Sequence, residues 1–483
     1  MKIGIYIFRR DLRLEDNMNL YNLAIEVDLI IPIFILDKYQ IKKSSHNINY
    51  FSSNAVQFMA KSLIDLSNQL SEYDSKLWLF YGNPLKIIKK LIKSIKKKYN
   101  VRQITVAYAK DYSKYALKRD KQIDDYLINN NHLIIKTSDD YTLINLNLLT
   151  KSDNVGYKQF GAFYKNATKH SVNKSIRIEQ HIQNIFLSKQ TKFDFEYPID
   201  NLSKFYIQND MIAQIGGRSN ALIILENIRN FSTYNDNRDT LSYSTTNLSA
   251  YLNFGCVSCR EVYHTIRARL GINSLILKQL YWRDFYLQAL IYLKNGNEYI
   301  HMDERYASIR WKNSKEDWQQ LINCKTGFLI VDAAMNEMIN TGYMHNRARM
   351  IVGVFWTKYL LIDIFHPTYG SQVGFSKYLV DAIGPSQNKL NHQWITEFDY
   401  AGKKYAPSDA PIAGRPMDIS NRMIAKWDPT CAYIKKWLKH LNDIPNKELY
   451  KWNEQISTKY NNIHPAPMFD SKLKYKEWIN ACK

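Results

Sequence analysis

The sequence predicts an α/β domain with a doubly wound, parallel five-stranded sheet, followed by an all-α domain. Three observations indicate this architecture. The chain has 483 residues, more than one hydrophobic core usually holds. Short apolar runs alternate with helical patterns only up to about residue 140, and nine of the ten tryptophans lie from Trp282 onward. We place the two domains at residues 1–135 and 206–483, with a polar interdomain connection at 136–205.

Five apolar runs rich in Ile, Phe and Tyr predict the strands, at 3–8, 29–36, 77–81, 104–108 and 133–135. Their lack of polar alternation is typical of parallel strands that are covered on both faces. A helix is predicted over 55–70, because apolar residues such as Val56, Met59 and Leu63 share one face. The turn at 9–17 has no glycine fingerprint, which argues against a dinucleotide or P-loop site there.

The segment 85–99 combines seven lysines with an apolar stripe that includes Leu85, Ile88, Ile92 and Ile95. A DNA-binding helix would fit the lysines. The stripe must face the sheet, however, so we interpret the segment as a crossover helix with a solvated lysine face. After residue 205, amphipathic patterns predict further helices, the longest at 217–231, 260–270, 275–293, 330–341, 346–361 and 432–441.

The charge balance makes a polyanion the first partner to consider. There are 66 basic and 45 acidic residues, giving a formal net charge of +21. The bias toward Lys, Asn, Ile and Tyr weakens this argument, since base composition alone can produce it. Five scattered cysteines do not form a disulfide framework, and the pair Cys256 and Cys259 lacks a second pair, so we expect packing roles and no metal site. No signal peptide or membrane span is predicted.

Two stretches carry polar groups that suit a bound ligand. Hydroxyl residues at Thr245, Thr246 and Ser249 precede a predicted helix, where they could either cap the helix or hold a phosphate. Gln279, Trp282, Arg283 and Tyr286 share one helical face, and that face suits a cavity for a flat polar ring better than an apolar core.

A third stretch begins at His345 and continues through Asn346, Arg347, Arg349 and Met350, with Asp381, Asn388 and Trp394 further along the chain. Amides, arginines, an acid, a thioether and an indole together could stack on an aromatic ligand and hydrogen-bond to it. The sequence has no Ser/His/Asp order or close carboxylate pair that would indicate hydrolysis.

Read in order, these motifs resemble the photolyase and cryptochrome family, most closely its class I cyclobutane pyrimidine dimer photolyases. The resemblance also rests on the run from Phe8 to Asn17, on Gly216-Gly217 and on the segment from Trp427 to Trp437. It implies an N-terminal domain that can hold an antenna chromophore, a folate or a deazaflavin, and a helical domain that binds FAD. It also implies light-driven repair of ultraviolet-damaged DNA, in which excited reduced FAD donates an electron to a flipped-out dimer.

The resemblance assigns roles by position. The residues expected to bind FAD are Tyr234, Thr245, Thr246, Leu248, Ser249, Gln279, Arg283, Asn346, Arg349, Asp381 and Asn388. Gln279, Asn346 and Asn388 among them are expected to be catalytic. The residues expected to contact the lesion or its backbone are Arg238, Gln279, Trp282, Asn346, Arg347, Met350 and Trp394. Segments 110–112 and 119–120 resemble those that line the antenna site. We expect a monomer located wherever the DNA is, in cytoplasm or nucleus.

Several positions depart from the family pattern. Gln279 stands where class I enzymes carry an acid, and glutamine there also occurs in enzymes for the (6-4) photoproduct. Those enzymes carry a histidine pair where this chain has His345-Asn346, so a cyclobutane dimer is the expected substrate. Gln387 is an alternative to Asn388, because the alignment requires an extra residue there.

The tryptophan chain that photoreduces flavin in relatives is incomplete in this sequence. Trp311 matches its outermost member, but Ile364 and His392 occupy the other two positions, and Trp356 is a candidate for another route. The alternatives to dimer repair are (6-4) repair, a blue-light photoreceptor without repair, and a generic basic DNA-binding protein.

Overall fold

A computed structural model describes residues 1–41, 50–135, 140–151, 155–293, 301, 304–381 and 417–481. Its sheet has the strand order β3-β2-β1-β4-β5, and every pairing is parallel. The strands are β1 (Lys2–Phe8), β2 (Leu29–Leu36), β3 (Trp78–Tyr81), β4 (Gln103–Tyr108) and β5 (Leu133–Ile135). All five predicted strands are therefore confirmed, with bounds within one residue of the prediction.

Helices cover both faces of this sheet. The helices of the first domain are α1 (Met18–Ala24), α2 (Lys38–Ile41), α3 (Ser53–Ser71), α4 (Pro84–Lys98) and α5 (Lys114–Asn129). Alternate residues of a strand point to opposite faces. Accordingly, Tyr6 and Phe8 of β1 pack in one apolar cluster with α1 and α3, whereas Ile5 and Ile7 pack in another with α4 and α5. The doubly wound prediction is thus confirmed.

The lysine-rich helix α4 has the predicted orientation. Ile88, Leu91, Ile92 and Ile95 are buried, while its seven lysines are exposed. Asn83 caps the helix by accepting from the amide of Lys86. Lysines on this face therefore remain in solvent because the apolar stripe is fully used against the sheet.

The rest of the described chain is helical. Its helices are α6 (Phe160–Ala167), α7 (Glu179–Ile182), α8 (Arg218–Glu226), α9 (Tyr234–Asn237), α10 (Ser249–Phe254), α11 (Cys259–Leu270), α12 (Leu275–Tyr292), α13 (Lys315–Ile322), α14 (Leu329–Thr341), α15 (Asn346–Val354), α16 (Ser371–Tyr378), α17 (Ile424–Trp427), α18 (Ala432–Trp437), α19 (Asn446–Leu449), α20 (Glu454–Lys459) and α21 (Ser471–Ala481). Short 3-10 turns lie at Leu146–Leu148, Ile199–Phe205, Ile228–Phe231, Glu304–Ser308, Asn421–Met423 and Lys439–Leu441.

Three predicted helices are shorter than their sequence patterns. The 217–231 pattern breaks after α8, where both the backbone and the side-chain amide of Asn227 donate to the carbonyl of Ile223. The 346–361 pattern changes from α15 to a π-helical turn at Phe355–Tyr359, and the 432–441 pattern ends as a 3-10 turn. The apolar spacing continues through these points, but the regular α-helical pattern of backbone hydrogen bonds ends there.

A buried ionic network joins the two domains. Arg260 Nη2 of α11 lies 3.0 Å from Asp16 Oδ1 and 2.8 Å from Asp140 Oδ1, and Arg13 Nη2 lies 3.2 Å from the same Asp140 oxygen. Ser258 donates a further hydrogen bond to Asp16. All four charged side chains are at most 3% exposed, so each charge depends on its partners. The turn after β1 is therefore a structural joint.

Two glycines begin α8 because α3 leaves no room for side chains. A Cβ on Gly216 would lie 1.9 Å from the carbonyl oxygen of Phe58, and Gly217 has φ of +121°.

Among the helices of the described residues, none is long and apolar enough to cross a membrane.

Candidate functional site

The predicted site residues converge where two apolar cores meet. Helices α10, α11 and α12 share a core with one face of the sheet, whereas α14, α15, α17 and α18 surround a second core that includes Trp356. The chain passes between them in residues 239–249, which we call the crossing segment. Leu241 packs in the second core and Leu248 in the first. Polar side chains on this segment bond to residues near α15.

Arg349 and Asp381 form the charged centre of this junction. Arg349 Nη1 and Nη2 donate to Asp381 Oδ1 and Oδ2 at 3.0 and 3.1 Å, a bidentate pair, and Nε donates to the carbonyl of Met344 at 2.8 Å. Ser249 Oγ donates to Asp381 Oδ2 at 2.8 Å. Burial alone would lower the pKa of Arg349, but Asp381 raises it, so the guanidinium stays charged. The structure thus brings three predicted FAD residues into one contact.

A second polar contact lies beside the first. Thr245 Oγ1 and the Tyr343 hydroxyl are 3.0 Å apart, and the guanidinium of Arg349 lies 5.7 Å from the centre of the Tyr343 ring. Burial raises the pKa of Tyr343 to about 12, so its phenol is neutral and able to donate a hydrogen bond. Tyr343 therefore connects the hydroxyl residues of the crossing segment with the charged pair.

The third contact involves Arg347, which is buried. Its Nη2 lies 2.5 Å from Asp239 Oδ1, its guanidinium stacks 4.6 Å above the Trp427 ring, and Nη1 donates to Met350 Sδ at 3.4 Å. His345 caps α15 by accepting from the Arg347 amide through Nδ1. Burial lowers the pKa of His345 to about 4, so this imidazole is neutral at pH 7.

The α12 residues have different surroundings. Trp282 stacks on Phe160 of α6, with ring centres 3.6 Å apart and planes at 5°. Gln279 is half-buried, and its side-chain amide donates a long 3.4 Å hydrogen bond to the carbonyl of Leu275, the one bond this side chain makes to described residues. Arg283 packs 3.9 Å from the Tyr141 ring and donates to the carbonyls of Tyr141 and Leu252. One face of Trp282 is therefore covered by protein, and Arg283 ties α12 to the interdomain connection.

Other predicted residues lie at the same junction. Tyr234 and Arg238 are half-buried at α9, which packs on α12, and Thr246 is half-buried on the crossing segment. Asn346 is exposed at the first residue of α15, and Met350 lies one turn further on the same helix. Asn388 and Trp394, together with Gln387 and His392, lie outside the described residues. Their assigned roles stay predictions, as do those of the other site residues.

Two buried polar atoms on the crossing segment test whether a cofactor fits. The Tyr243 hydroxyl and Asn247 Oδ1 are both buried, and neither has a hydrogen-bond partner within the part of the chain that the structure describes. Buried polar groups in proteins are normally satisfied, so this pair indicates a polar ligand. FAD carries phosphate oxygens that a phenol can donate to and hydroxyls that an amide oxygen can accept from. The residues present therefore fit FAD.

The two tryptophans predicted for electron transfer lie in separate clusters. Trp356 is fully buried in the second core, where Nε1 donates to the Tyr369 carbonyl at 2.7 Å and the ring packs 5.9 Å from Phe375. Trp311 is half-buried and packs 6.1 Å from Trp478. Tyr369 also packs 5.0 Å from Trp318, which is half-buried.

A cavity opens at the carboxyl ends of β1 and β2, between the domains. Aromatic residues line it, including Phe8, Phe34, Tyr50, Phe51 and Phe254. The charged residues around it are Arg9, Arg10, Asp37, Asp111 and Arg119, and a small adjoining cleft adds Lys110 and Tyr112. Asp111 and Arg119, from the two segments that resemble an antenna site, therefore line the same cavity, at the edge where ligands bind in open α/β sheets.

Three residues that the structure joins to the site have no role in the sequence-based assignment. Asp239 follows Arg238, Tyr343 lies just before the stretch that begins at His345, and Trp427 opens a segment on which the resemblance rests. Their partners, however, lie far along the chain. For Asp239, the sequence signal that could have been used is its position directly after Arg238, the predicted contact to the DNA backbone. Phe160, which covers Trp282, lies in the weakly patterned connection and had no signal.

Comparisons with known proteins identify the family of this chain. A family model for DNA photolyase matches residues 4–180, and one for the FAD binding domain of DNA photolyase matches residues 276–483. A deoxyribodipyrimidine photo-lyase of Alkalihalophilus pseudofirmus is 27% identical over 99% of this chain and 97% of its own length. Cryptochrome-2 of Gallus gallus is 25% identical over 93% of this chain and 76% of that protein.

Solved structures show the same fold. An archaeal photolyase from Sulfolobus tokodaii, determined with two FAD molecules, is 27% identical with a TM-score of 0.78 and covers 99% of both chains. A class III photolyase from Agrobacterium tumefaciens is 21% identical with a TM-score of 0.84, covering 100% of this chain and 97% of that one. Fold and matches define a two-domain protein with an FAD-binding helical domain. The chain belongs to the photolyase/cryptochrome family.

Proposed function

We propose that this protein is a deoxyribodipyrimidine photo-lyase that repairs cyclobutane pyrimidine dimers in DNA under light. The observation that carries the proposal is the polar junction between the two cores, where Asp381 bonds to both Arg349 and Ser249. The Tyr243 hydroxyl and Asn247 Oδ1 of the crossing segment add two buried polar groups that lack hydrogen-bond partners among the described residues. Relatives named deoxyribodipyrimidine photo-lyase support the enzyme class. Asn346 beside His345, in place of a histidine pair, favours a cyclobutane dimer over the (6-4) lesion.

In this proposal the residues of the chain bind and orient FAD and the pyrimidine dimer. We expect the Tyr243 hydroxyl and Asn247 Oδ1 to bond the phosphate and hydroxyl groups of FAD, and the Arg349–Asp381 pair to provide charge at the same junction. When bound in reduced form and excited by light, FAD supplies the electron that splits the dimer ring. Gln279 offers an amide with spare hydrogen-bonding capacity, which suits the polar edge of a pyrimidine.

Trp282 is half-buried and stacks on Phe160, so we expect its remaining exposed surface to stack against an extruded base while Phe160 orients the indole. Arg238 supplies a cation for the DNA backbone. The cavity at the carboxyl ends of β1 and β2 is proposed to hold an antenna chromophore, a folate or a deazaflavin, whose ring the surrounding aromatic residues can pack against.

The test uses the full chain, reconstituted with FAD. Absorbance spectra report flavin and any second chromophore, and repair is then measured with and without blue light on oligonucleotides that carry either a cyclobutane dimer or a (6-4) lesion. We expect light-dependent loss of the cyclobutane dimer only. Repair of the (6-4) lesion alone would favour the second substrate, and bound flavin without any repair would favour a blue-light photoreceptor.

Gln279→Ala provides a variant that is specific to the site. We expect about tenfold weaker binding of dimer-containing DNA, since about 1 to 2 kcal/mol is typical of lost polar contacts. Gln319→Ala is the matched control, because Gln319 is exposed on α13 and makes no side-chain hydrogen bond to described residues. Equal affinities for the two variants would contradict the assigned role of Gln279.

A further inference from the structure

Two arginines assigned to the DNA backbone have unequal surroundings. Arg238 is half-buried after α9 and forms no ion pair with any described residue. Arg347 pairs with Asp239 and stacks on Trp427. The positive charge of Arg347 is therefore already compensated in the free protein, whereas that of Arg238 has no ion-pair partner among the described residues.

The Asp239–Arg347 pair has an outer and an inner member. The Asp239 side chain is 46% exposed, but that of Arg347 is only 9% exposed. The carboxylate is therefore the member of the pair that is more accessible to an approaching DNA backbone. Two anions repel each other, and at physiological salt this repulsion acts within about 8 Å, the range over which a carboxylate would oppose a phosphate.

We propose that Asp239 is a specificity-determining residue that masks Arg347 from the phosphates of undamaged DNA. This inference rests on the proposed function, because it concerns how that site tells damaged from intact DNA. Discrimination between ligands often depends on an element that repels the wrong one. Asp239 directly follows Arg238 in the sequence, so two adjacent residues carry one group that attracts DNA phosphates and one that repels them.

The two kinds of DNA differ in what they can offer Arg347. An intact duplex presents regularly spaced phosphates, and its attraction to a basic protein is independent of sequence and lesion. A backbone bent around an extruded dimer can place one phosphate directly against the guanidinium, where a bidentate, charge-assisted contact replaces the carboxylate. Since almost half of the Asp239 side chain is already in solvent, its release into water meets little resistance.

Asp239→Asn removes the charge and keeps the shape of the side chain. We expect this variant to bind an undamaged duplex roughly tenfold more tightly at 50 mM salt, with a log–log salt slope steeper by about 0.9, the value for one additional phosphate contact. Affinity for dimer-containing DNA should change much less, so the ratio of the two affinities falls. Both are measured by fluorescence anisotropy on the FAD-loaded full chain, across a salt series.

Asp236→Asn is the matched control. Asp236 is exposed on α9, three residues away, and forms no ion pair with the residues that the structure describes. It makes the same change in net charge, so an equal gain for both variants would overturn the proposal in favour of a general charge effect. Asp239→Asn in an Arg347→Gln background should give no gain in undamaged-duplex affinity. A persisting gain there, or none in the single variant, would equally overturn it.

The conservative variant Asp239→Glu should restore discrimination, because it keeps a carboxylate within reach of Arg347. Weaker binding of both DNAs by Asp239→Asn would instead assign a supporting role to Asp239 and refute masking. Thermal melting of each variant shows whether it is folded. Failure of the proposed function is distinguished separately, by absence of light-dependent repair in the unsubstituted protein.

Discussion

The Arg349–Asp381 pair gives the sharpest test of the site, through Asp381→Asn. The substitution keeps the shape of the side chain but removes the charge that two guanidinium nitrogens and the Ser249 hydroxyl contact. Breaking a buried ion pair by changing one partner costs about 3 to 5 kcal/mol. The two side chains retain 18% and 13% exposure, so the low end, about 3 kcal/mol, applies.

This loss converts to a measurable melting shift. At roughly 2.1 cal/mol/K of unfolding entropy per residue, about 3 kcal/mol lowers the Tm of a chain this long by about 3 °C. Urea unfolding of the protein without FAD measures the same loss as a free energy. Ser249→Ala removes only one bond to the pair and should lower the stability by about 1 kcal/mol. FAD affinity, measured by flavin fluorescence, should fall more for Asp381→Asn than for Ser249→Ala.

An exposed Arg–Asp pair elsewhere in the chain provides the control. Arg422 donates to Asp418 through two nitrogens, but the two side chains are 68% and 30% exposed. Asp418→Asn is the same chemical change and should cost about 0.5 kcal/mol or less, because solvent screens the pair. If Asp381→Asn is no more destabilising than Asp418→Asn, the Arg349–Asp381 pair does not hold the two cores together.

Three other outcomes are expected. Burial lowers the pKa of His345 to about 4, against 6.5 when unfolded, so the unfolding free energy is highest above pH 6.5 and falls as the pH drops toward 4. His345→Asn should remove up to about 3 kcal/mol of this pH dependence, measured by urea unfolding across that window. Asp16→Asn leaves Arg260 without one buried partner and should lower the unfolding free energy by about 3 to 5 kcal/mol, whereas a loss under 1 kcal/mol would contradict the joint. Trp356→Phe should slow photoreduction of bound flavin in transient absorption more than Trp311→Phe does; dependence on Trp311 alone would refute a rerouted path.

Much of the fold could be predicted because its signals are local. The five strands are continuous apolar runs, and the lysine face of α4 follows from the spacing of Ile88, Ile92 and Ile95. Helix ends were harder to predict. At Asn227 a side-chain bond to the preceding turn ends α8, although the apolar pattern continues.

The candidate site was predictable as a set of residue types but not as a set of contacts. Motif order identified Arg349, Asp381, Thr245 and Ser249. The structure joins Asp381 to Arg349 and Ser249 by hydrogen bonds, whereas Thr245 bonds to Tyr343, whose ring lies beside Arg349. No spacing rule predicts that Phe160 stacks on Trp282, because the two residues come from segments with unrelated patterns. Such pairings depend on how the two cores meet.

The sequence by itself determined the fold class, the family and the kinds of side chain at the site, because periodicity and ordered motifs are properties of the chain. Only the tertiary structure decided how charges are distributed among partners. Arg238 and Arg347 cannot be distinguished by residue type, yet Arg238 is partly exposed to solvent, whereas Arg347 is buried between Asp239 and Trp427. The reason is physical: the effect of a charge is set by its burial and its neighbours, and contacts between distant segments determine both.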